Sequence, residues 1–270
     1  MSAPEKFSPD PLQIFPTRLL ADPARVALRP FHLGWQARNA PGNRAMRLVE
    51  DIACLSEARA ALEYERVRRD FTERHWHTEQ VFAERFAEVA RNLELDVSGF
   101  SSTRRLLIGS YFCHEYTFAA AALMNPSIVP HPDQSGMRDG AIRFIMSLRA
   151  VGEGHISSIV FREGIVERDG HFSLWPQASF ATAMELDDES DTDNDETVLV
   201  HRHADSTLSN TVIFPITEQQ RNGLEDLRLV RLDHGDGDFE WVGTYTAYSG
   251  HSIRSELLRT RGQRIDWCIT

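Results

Sequence analysis

The chain has 270 residues, of which 41% are hydrophobic and 26% charged, a composition typical of ordinary globular proteins. Its formal net charge of −11 repels phosphate backbones and anionic lipid headgroups, so we expect no nucleic-acid or membrane partner. The 3 cysteines form no CxxC pair, which argues against a disulfide framework or a zinc knuckle. The first residues contain no apolar segment typical of a secretory signal, and we expect a cytoplasmic location.

The N-terminal part divides into an arm and a helical region. Residues 1–43 are rich in proline, which predicts an extended arm rather than a domain. Residues 44–95 contain neither proline nor glycine and carry apolar residues at helical spacing, which predicts helix. Hydroxyls at 101–103 are typical of a helix start, and we expect this second helix to end near Leu123, before Asn125-Pro126. The helical region therefore covers 44–123.

The remaining residues, 124–270, have a different pattern. Stretches rich in β-branched and aromatic residues alternate with glycine-containing turns, which predicts strands near 142–151, 156–162, 162–170, 211–216, 227–232, 240–248 and 253–258. Such meanders occur in sandwiches, barrels and propeller blades. Residues 185–196 hold eight acids and no base. Because they lack the central glycine of a calcium-binding loop, we expect a solvated acidic loop here. The expected fold is mainly β with an N-terminal α-helical region.

Two adjacent acids, Glu225 and Asp226, stand before an apolar strand and are the strongest candidates for chemistry. Successive residues of an extended strand point in opposite directions, so one acid can face a pocket while the scaffold holds the other. On this geometry Arg228 shares a face with Asp226. The alternative is a structural Asp–Arg pair at the entrance of a strand.

Metal and cofactor sites are not expected. His75 and His77 fall in the predicted helix, where residues two apart diverge, and His201 and His203 lack an apparent third ligand. Gly152-Glu153-Gly154 lacks the lysine and the helix of a phosphate-binding loop.

The segment Asn-Gly-Leu-Glu-Asp-Leu-Arg at 222–228, followed by Gly-Thr-Tyr-Thr-Ala-Tyr at 243–248, resembles the G-x-E-D-x-R and YTAY motifs of glycoside hydrolase and phosphorylase family 130. The segments at 124–129 and 147–150 look like the N-P and R-A elements of that family's first blade. Order and approximate spacing agree over roughly residues 100–260. Two departures are Leu227, where the family usually has proline, and Ser157-Ser158, where it tends to have an arginine.

This resemblance implies a five-bladed β-propeller that acts on β-mannosides, either by inverting hydrolysis or by phosphorolysis. Asp226 would be the general acid, Asn125 and Arg149 would bind the sugar, and Glu225 and Arg228 would support Asp226. Two further residues have a binding interpretation beside an equally simple structural one: Tyr245 offers a ring face or packs within a blade, and His155 binds a hydroxyl or stabilises a turn.

The chain is too short for five blades, so we expect a partial, incomplete propeller: the N-terminal portion of a family member with a helical extension. Self-association through the helical region or through open blade edges is one way to complete it. No catalytic base is apparent. The sequence leaves three functions open on an oligosaccharide ligand: hydrolysis of β-mannosides, phosphorolysis with inorganic phosphate, and sugar binding without catalysis.

Overall fold

The computed structural model describes residues 14–31, 42–75, 77–177, 180–186, 198–204, 206–260 and 267–269. Four helices come first, and a large, mostly antiparallel β-sheet follows. The helices are α1 (Arg44–Ala53), α2 (Glu57–Thr72), α3 (Thr78–Asn92) and α4 (Ser102–Tyr111). The strands are β1 (Ala27–Pro30), β2 (Cys113–Tyr116), β3 (Ala122–Pro130), β4 (Ile142–Val151), β5 (Ser157–Val166), β6 (Phe172–Leu174), β7 (Thr182–Ala183), β8 (Glu185–Leu186), β9 (Val198–His201), β10 (Thr211–Ile213), β11 (Gly223–Gly235), β12 (Asp238–Tyr248), β13 (Ile253–Thr260) and β14 (Trp267–Ile269).

The helical region contains three helices where the sequence predicts one uninterrupted stretch over 44–95. The side chains that begin α1, α2 and α4 are Asn43, Ser56 and Ser101, and each accepts a backbone N–H three residues further on. Ser56 therefore starts a new helix inside the predicted one. The four helices share a core that includes Phe82 and Leu107. Among the helices of the described ranges, none is long and apolar enough to cross a membrane.

The prediction that α4 continues to Leu123 is wrong, because this helix ends at Tyr111. The next residues form β2, which pairs antiparallel with β1 from the proline-rich segment. The described part of the predicted arm is thus tied to the body of the protein by a strand. Phe118 and Ala119, which the helical pattern included, are buried in a core cluster of the β region. Their burial shows tertiary packing overriding helix propensity.

The large sheet runs in the order β3-β4-β5-β11-β12-β13-β14-β9-β8, and β6, β7 and β10 pair beside this path. Near one end of this path lies the β4–β5 hairpin, in which every residue of β4 is paired with β5. Successive residues of β4 enter different cores: Ile145 packs with Trp241, whereas Phe144 packs with Phe118. Both faces of β4, Ile142–Val151, therefore carry apolar residues, although Arg143, Ser147 and Arg149 interrupt them.

Apart from the β1–β2 pair, the described strands form one hydrogen-bonded sheet, and no propeller is seen in the described ranges, contrary to the expectation of separate blades. The edge strands of a separate blade would not be hydrogen-bonded to the strands of the next blade. Here Gly223 of β11 pairs parallel with Ser157 of β5, which joins the two meanders into one network. The first residues of the predicted acidic loop, Glu185–Leu186, form β8, and the rest of that loop lies outside the described residues.

Candidate functional site

Asp226 lies in a bulge of β11. The pairing of β11 with β12 runs regularly up to Glu225 opposite Thr246 and resumes at Arg228 opposite Thr244. Asp226 is therefore unpaired and adopts a left-handed backbone conformation with φ 58°. Aspartate and asparagine tolerate this region better than other non-glycine residues. The bulge leaves the Asp226 side chain 43% exposed.

Asn125 lies in a second bulge, in the neighbouring strand β3. Its pairing with β4 is interrupted between Met124 and Ser127, and Asn125 has φ 53°. The sequence analysis placed this residue at the end of a helix, but it belongs to a strand because the helix has already ended at Tyr111. The two bulges are therefore built in the same way, each around one short polar residue.

Two contacts hold the bulges side by side. The Arg228 Nη1 donates to the carbonyl oxygen of Pro126 at 2.9 Å. The backbone N–H of Leu229 donates to the Ser127 Oγ at 3.0 Å. Arg228 thus fastens β11 to β3 and forms no hydrogen bond to Asp226, which corrects its predicted position beside that carboxylate.

Arg149, in β4, connects both acids. Its Nη1 donates to Asp226 Oδ1 at 3.3 Å and its Nη2 to Glu225 Oε1 at 2.6 Å. Its Nε donates to the Ser157 Oγ at 2.9 Å, and the Asn125 Nδ2 donates to the same Asp226 Oδ1 at 2.5 Å. We call these five residues, Asn125, Arg149, Ser157, Glu225 and Asp226, the carboxylate cluster.

The carboxylate cluster has unused acceptors. Asp226 Oδ2 and Glu225 Oε2 accept no hydrogen bond from the described residues, whereas the other oxygen of each acid is bonded. The side chains of Arg149 and Glu225 are 21% and 23% exposed, so the cluster is reached from solvent through Asp226. Its formal charge is −1, because one guanidinium faces two carboxylates. It is therefore suited to bind hydroxyl or amine donors rather than anions.

Tyr245 is not part of the cluster. It is buried in the core, and its hydroxyl donates to Glu256 Oε2 at 2.5 Å while accepting from Gln220 Nε2 at 2.9 Å. Burial, followed by the bond to Glu256, raises the pKa of Tyr245 far above its usual value. The packing interpretation therefore describes Tyr245, and its ring is unavailable to a ligand.

His155 lies in the exposed one-turn segment Glu153–His155, with φ 60°. Its ring forms no hydrogen bond or ion pair with the carboxylate cluster in the part of the chain that the structure describes. The structure thus brings together Asn125, Arg149, Glu225 and Asp226 out of the predicted site residues, and leaves His155 apart from them.

Ser157 is the cluster residue that the sequence analysis noticed only as a departure from a motif. It stands at the start of β5, beside Gly223, whose φ is 153°. A Cβ on Gly223 would lie 2.8 Å from the Ser157 Cβ and 3.0 Å from its backbone nitrogen. Glycine at 223 therefore allows β11 to approach β5 closely enough for its two acids to reach Arg149.

Two cavities of the described structure lie away from the cluster. The larger, about 1510 Å³, is lined by polar residues that include His131, Arg143 and Glu163. The Glu163 carboxylate there already accepts from Arg143 Nη2 and Ser209 Oγ, each at 3.0 Å. The smaller cavity, about 420 Å³, lies at the β1–β2 pair. No residue of the carboxylate cluster lines either of these two cavities.

One histidine of each His-x-His pair, His77 and His203, meets the other, a contact that the sequence did not indicate. His75 and His77 lie in the connection between α2 and α3 rather than in a helix. The ring nitrogens of His77 and His203 are 3.1 Å apart, and His75 Nε2 lies 2.8 Å from Glu115 Oε1. Within the described ranges, no group of three or more residues is placed to hold a metal ion.

No family model matches the chain, and no curated protein matches it. Among solved structures the similarity is distant. One structure comes from a study of the family 130 mannoside phosphorylases, which contain glycoside hydrolases that target beta-1,2 mannosidic linkages in Candida mannan. That structure is 16% identical to this chain with a TM-score of 0.32, and the match covers 58% of this chain and 33% of that chain. A glycosyl hydrolase from Bacteroides ovatus is 16% identical with a TM-score of 0.29, over 57% of this chain and 32% of that one. The chain thus spans about a third of the length of these proteins, and similarity at this level carries no argument about function.

Proposed function

We propose that the chain is a carbohydrate-active protein that hydrolyses β-mannosides, with Asp226 as the general acid. One observation carries the proposal: Asn125, Arg149, Glu225 and Asp226, which come from separate segments resembling motifs of family 130, meet in one hydrogen-bonded cluster. A purely structural Asp–Arg pair would not need the strained backbone of Asn125 and Asp226. Such strain concentrates at functional sites.

In the proposed reaction the Asp226 Oδ2 donates a proton to the glycosidic oxygen, directly or through a hydroxyl of the substrate. The bond between this oxygen and the anomeric carbon breaks, and a water oxygen bonds to that carbon from the opposite face. The proton lost by the water goes to a base, which in inverting enzymes is a carboxylate about 6.5–9.5 Å from the acid. Glu225 is tied to Arg149, and we assign it the positioning of that guanidinium rather than the role of base.

Asn125 and Arg149 fix the orientation of the acid. Both donate to the same oxygen, Oδ1, so the plane of the Asp226 carboxyl group is held and Oδ2 is directed to the ligand side. The Asn125 side-chain oxygen and the free Glu225 oxygen can accept hydrogen bonds from sugar hydroxyls. A polyol with several hydroxyl donors therefore matches the cluster.

Hydrolysis suits this arrangement better than phosphorolysis. Phosphate needs unoccupied cations, but Arg149 is bound to two carboxylates and Arg228 to the Pro126 carbonyl. With Asp226 protonated for its role as acid, the charges of Arg149 and Glu225 cancel, so the cluster offers no net positive charge to a phosphate dianion.

The test is the release of mannose from β-manno-oligosaccharides in phosphate-free buffer. We expect turnover by the unmodified chain and a loss of about 10²–10⁴-fold in Asp226→Asn, the usual contribution of general acid catalysis. Asp236→Asn is the matched control, because Asp236 is another acid at positive φ, 53°, exposed in the β11–β12 turn.

Each result has a definite meaning. Full activity of Asp226→Asn contradicts the assignment of the acid. Turnover only when phosphate is added identifies a phosphorylase instead. Calorimetric binding of manno-oligosaccharides without turnover identifies a sugar-binding protein, and the absence of both binding and turnover refutes the carbohydrate proposal.

A further inference from the structure

The smaller cavity, about 420 Å³, is formed by elements that the proposed reaction does not use. Arg29 of β1 and His114 of β2 are paired neighbours on one wall, and Phe214 and Arg221 belong to the segment between β10 and β11. A volume of this size suits a small molecule rather than a macromolecular segment. The cavity therefore has its own chemistry, which depends on its charged residues.

Arg29 is the central group of this cavity. The carbon of its guanidinium lies 4.2 Å from the centroid of the Phe214 ring, a cation–π contact. No carboxylate of the described residues lies within ion-pair distance of Arg29. Burial, together with the nearby charge of Arg85, lowers its pKa from the usual value. Arg29 is half-buried, and charges that are partly removed from water are normally paired in proteins, so Arg29 lacks a counter-charge among the described residues.

The contact with Phe214 leaves the donors of Arg29 available, because its side chain forms no hydrogen bond with a described residue. A guanidinium stacked on a ring uses its flat face, while its five N–H donors lie in the plane and point away from the contact. The planar fork matches two oxygens of a carboxylate or phosphate group in a bidentate pair. The unmet requirement of Arg29 is therefore specific: an anion with two adjacent oxygens.

The neighbouring charges support the same ligand. Arg221 forms an exposed ion pair with Glu218 at 2.8 Å and also donates to the Ser249 carbonyl at 3.1 Å. An exposed pair of this kind contributes little stability, so Arg221 can exchange Glu218 for a ligand oxygen at small cost. The two arginines and the single carboxylate Glu218 make the lining positive, although the whole chain has a formal charge of −11.

We propose that this cavity binds the carboxylate or phosphate group of a small molecule, with Arg29 as its main partner and Arg221 as the second. The site is distinct from the carboxylate cluster, none of whose residues line the cavity. A neutral mannoside at the cluster and an anionic ligand at this cavity would therefore contact different residues.

The experiment is calorimetric titration of the full chain at constant ionic strength with three anions: inorganic phosphate, glucose 6-phosphate and glucuronate. Neutral glucose is the uncharged control. We expect at least one anion to bind saturably, with at least a tenfold loss of affinity in Arg29→Gln and a smaller loss in Arg29→Lys, which keeps the charge without the planar fork. Preference for phosphate, for the sugar phosphate or for the carboxylate identifies the source of the anionic group.

Arg231→Gln is the matched control for stacking. Arg231 also lies over a phenylalanine, with its guanidinium carbon 4.1 Å from the Phe239 centroid, but it is paired with Asp233 at 2.8 Å. Its replacement should leave anion binding unchanged, and so should Asp226→Asn, which separates this proposal from that of mannoside hydrolysis. The proposal is overturned if no anion saturates, if glucose binds as well as the anions, or if Arg29→Gln and Arg29→Lys both retain full affinity.

Discussion

The left-handed backbone at Asp226 can be tested by replacing this residue with alanine and with glycine. Either replacement removes the hydrogen bonds from Asn125 and Arg149. Because the Asp226 side chain is 43% exposed, solvent screens these bonds, and we expect their loss to cost about 1 kcal/mol of the free energy of unfolding. The two variants differ only in how they tolerate φ 58°.

Alanine in this conformation is strained by roughly 1–2 kcal/mol, whereas glycine adopts it freely. Glycine also increases the entropy of the unfolded chain, which offsets about 0.4–1 kcal/mol of that advantage. We therefore expect Asp226→Gly to be more stable than Asp226→Ala by about 0.5–1 kcal/mol. Both variants should lack mannosidase activity, because neither retains a carboxyl group.

The measurement is urea unfolding, with the midpoints compared at equal slope. The same two replacements at Asp236, which has φ 53° and is exposed outside the cluster, isolate the backbone effect. The reasoning is refuted if the glycine and alanine variants of Asp226 unfold at the same midpoint while those of Asp236 separate. It is equally refuted if the glycine variant of Asp226 is the less stable of the two.

Two further predictions concern the helical region and β2. In urea unfolding, Gly109→Ala should lower the free energy of unfolding by about 1–3 kcal/mol, because the added Cβ would lie 1.9 Å from the Phe82 carbonyl oxygen of α3. The control Gly99→Ala, whose Cβ would meet no atom within 4 Å, should be nearly neutral. Equal effects of the two variants would contradict the close approach of α3 and α4. Burial raises the pKa of the Cys113 thiol to about 12. At about pH 8, iodoacetamide should therefore modify the exposed Cys54 in the native protein, and Cys113 only after unfolding, as measured by peptide mass spectrometry. Equal rates of modification in the native protein would contradict the burial of Cys113.

The strand β4 shows which parts of the fold follow from sequence. Seven of its ten residues are apolar and both of its faces contribute to buried cores, so the local pattern and the tertiary environment agree. The end of α4 shows the opposite case. The stretch around Phe118 has helical composition, but β1 supplies a pairing partner for β2, and this partner comes from far earlier in the chain. No local pattern contains that information.

The candidate site was predicted by residue but not by geometry. Of the seven predicted site residues, Asn125, Arg149, Glu225 and Asp226 meet in one hydrogen-bonded cluster. The other three, His155, Arg228 and Tyr245, form no hydrogen bond with it among the described residues. The propeller that the resemblance implied is not seen among the described residues, where a single sheet positions these side chains. The approach of β11 to β3 depends on side-chain hydrogen bonds from Arg228 to Pro126 and between Ser127 and Leu229, residues about a hundred positions apart, and spacing along the chain does not reveal them.

The apolar pattern of β11 nevertheless contains a signal of the bulge. Leu224, Leu227 and Leu229 all belong to one core cluster, yet Leu224 and Leu227 are three residues apart and cannot share a face of a regular strand. An extra residue between them is needed to restore the alternation, and the bulge between Glu225 and Arg228 supplies it. Regular alternation would point these two acids in opposite directions, so Arg149 could not bind both. The burial of the leucines therefore requires the backbone irregularity that brings both carboxylates to one guanidinium.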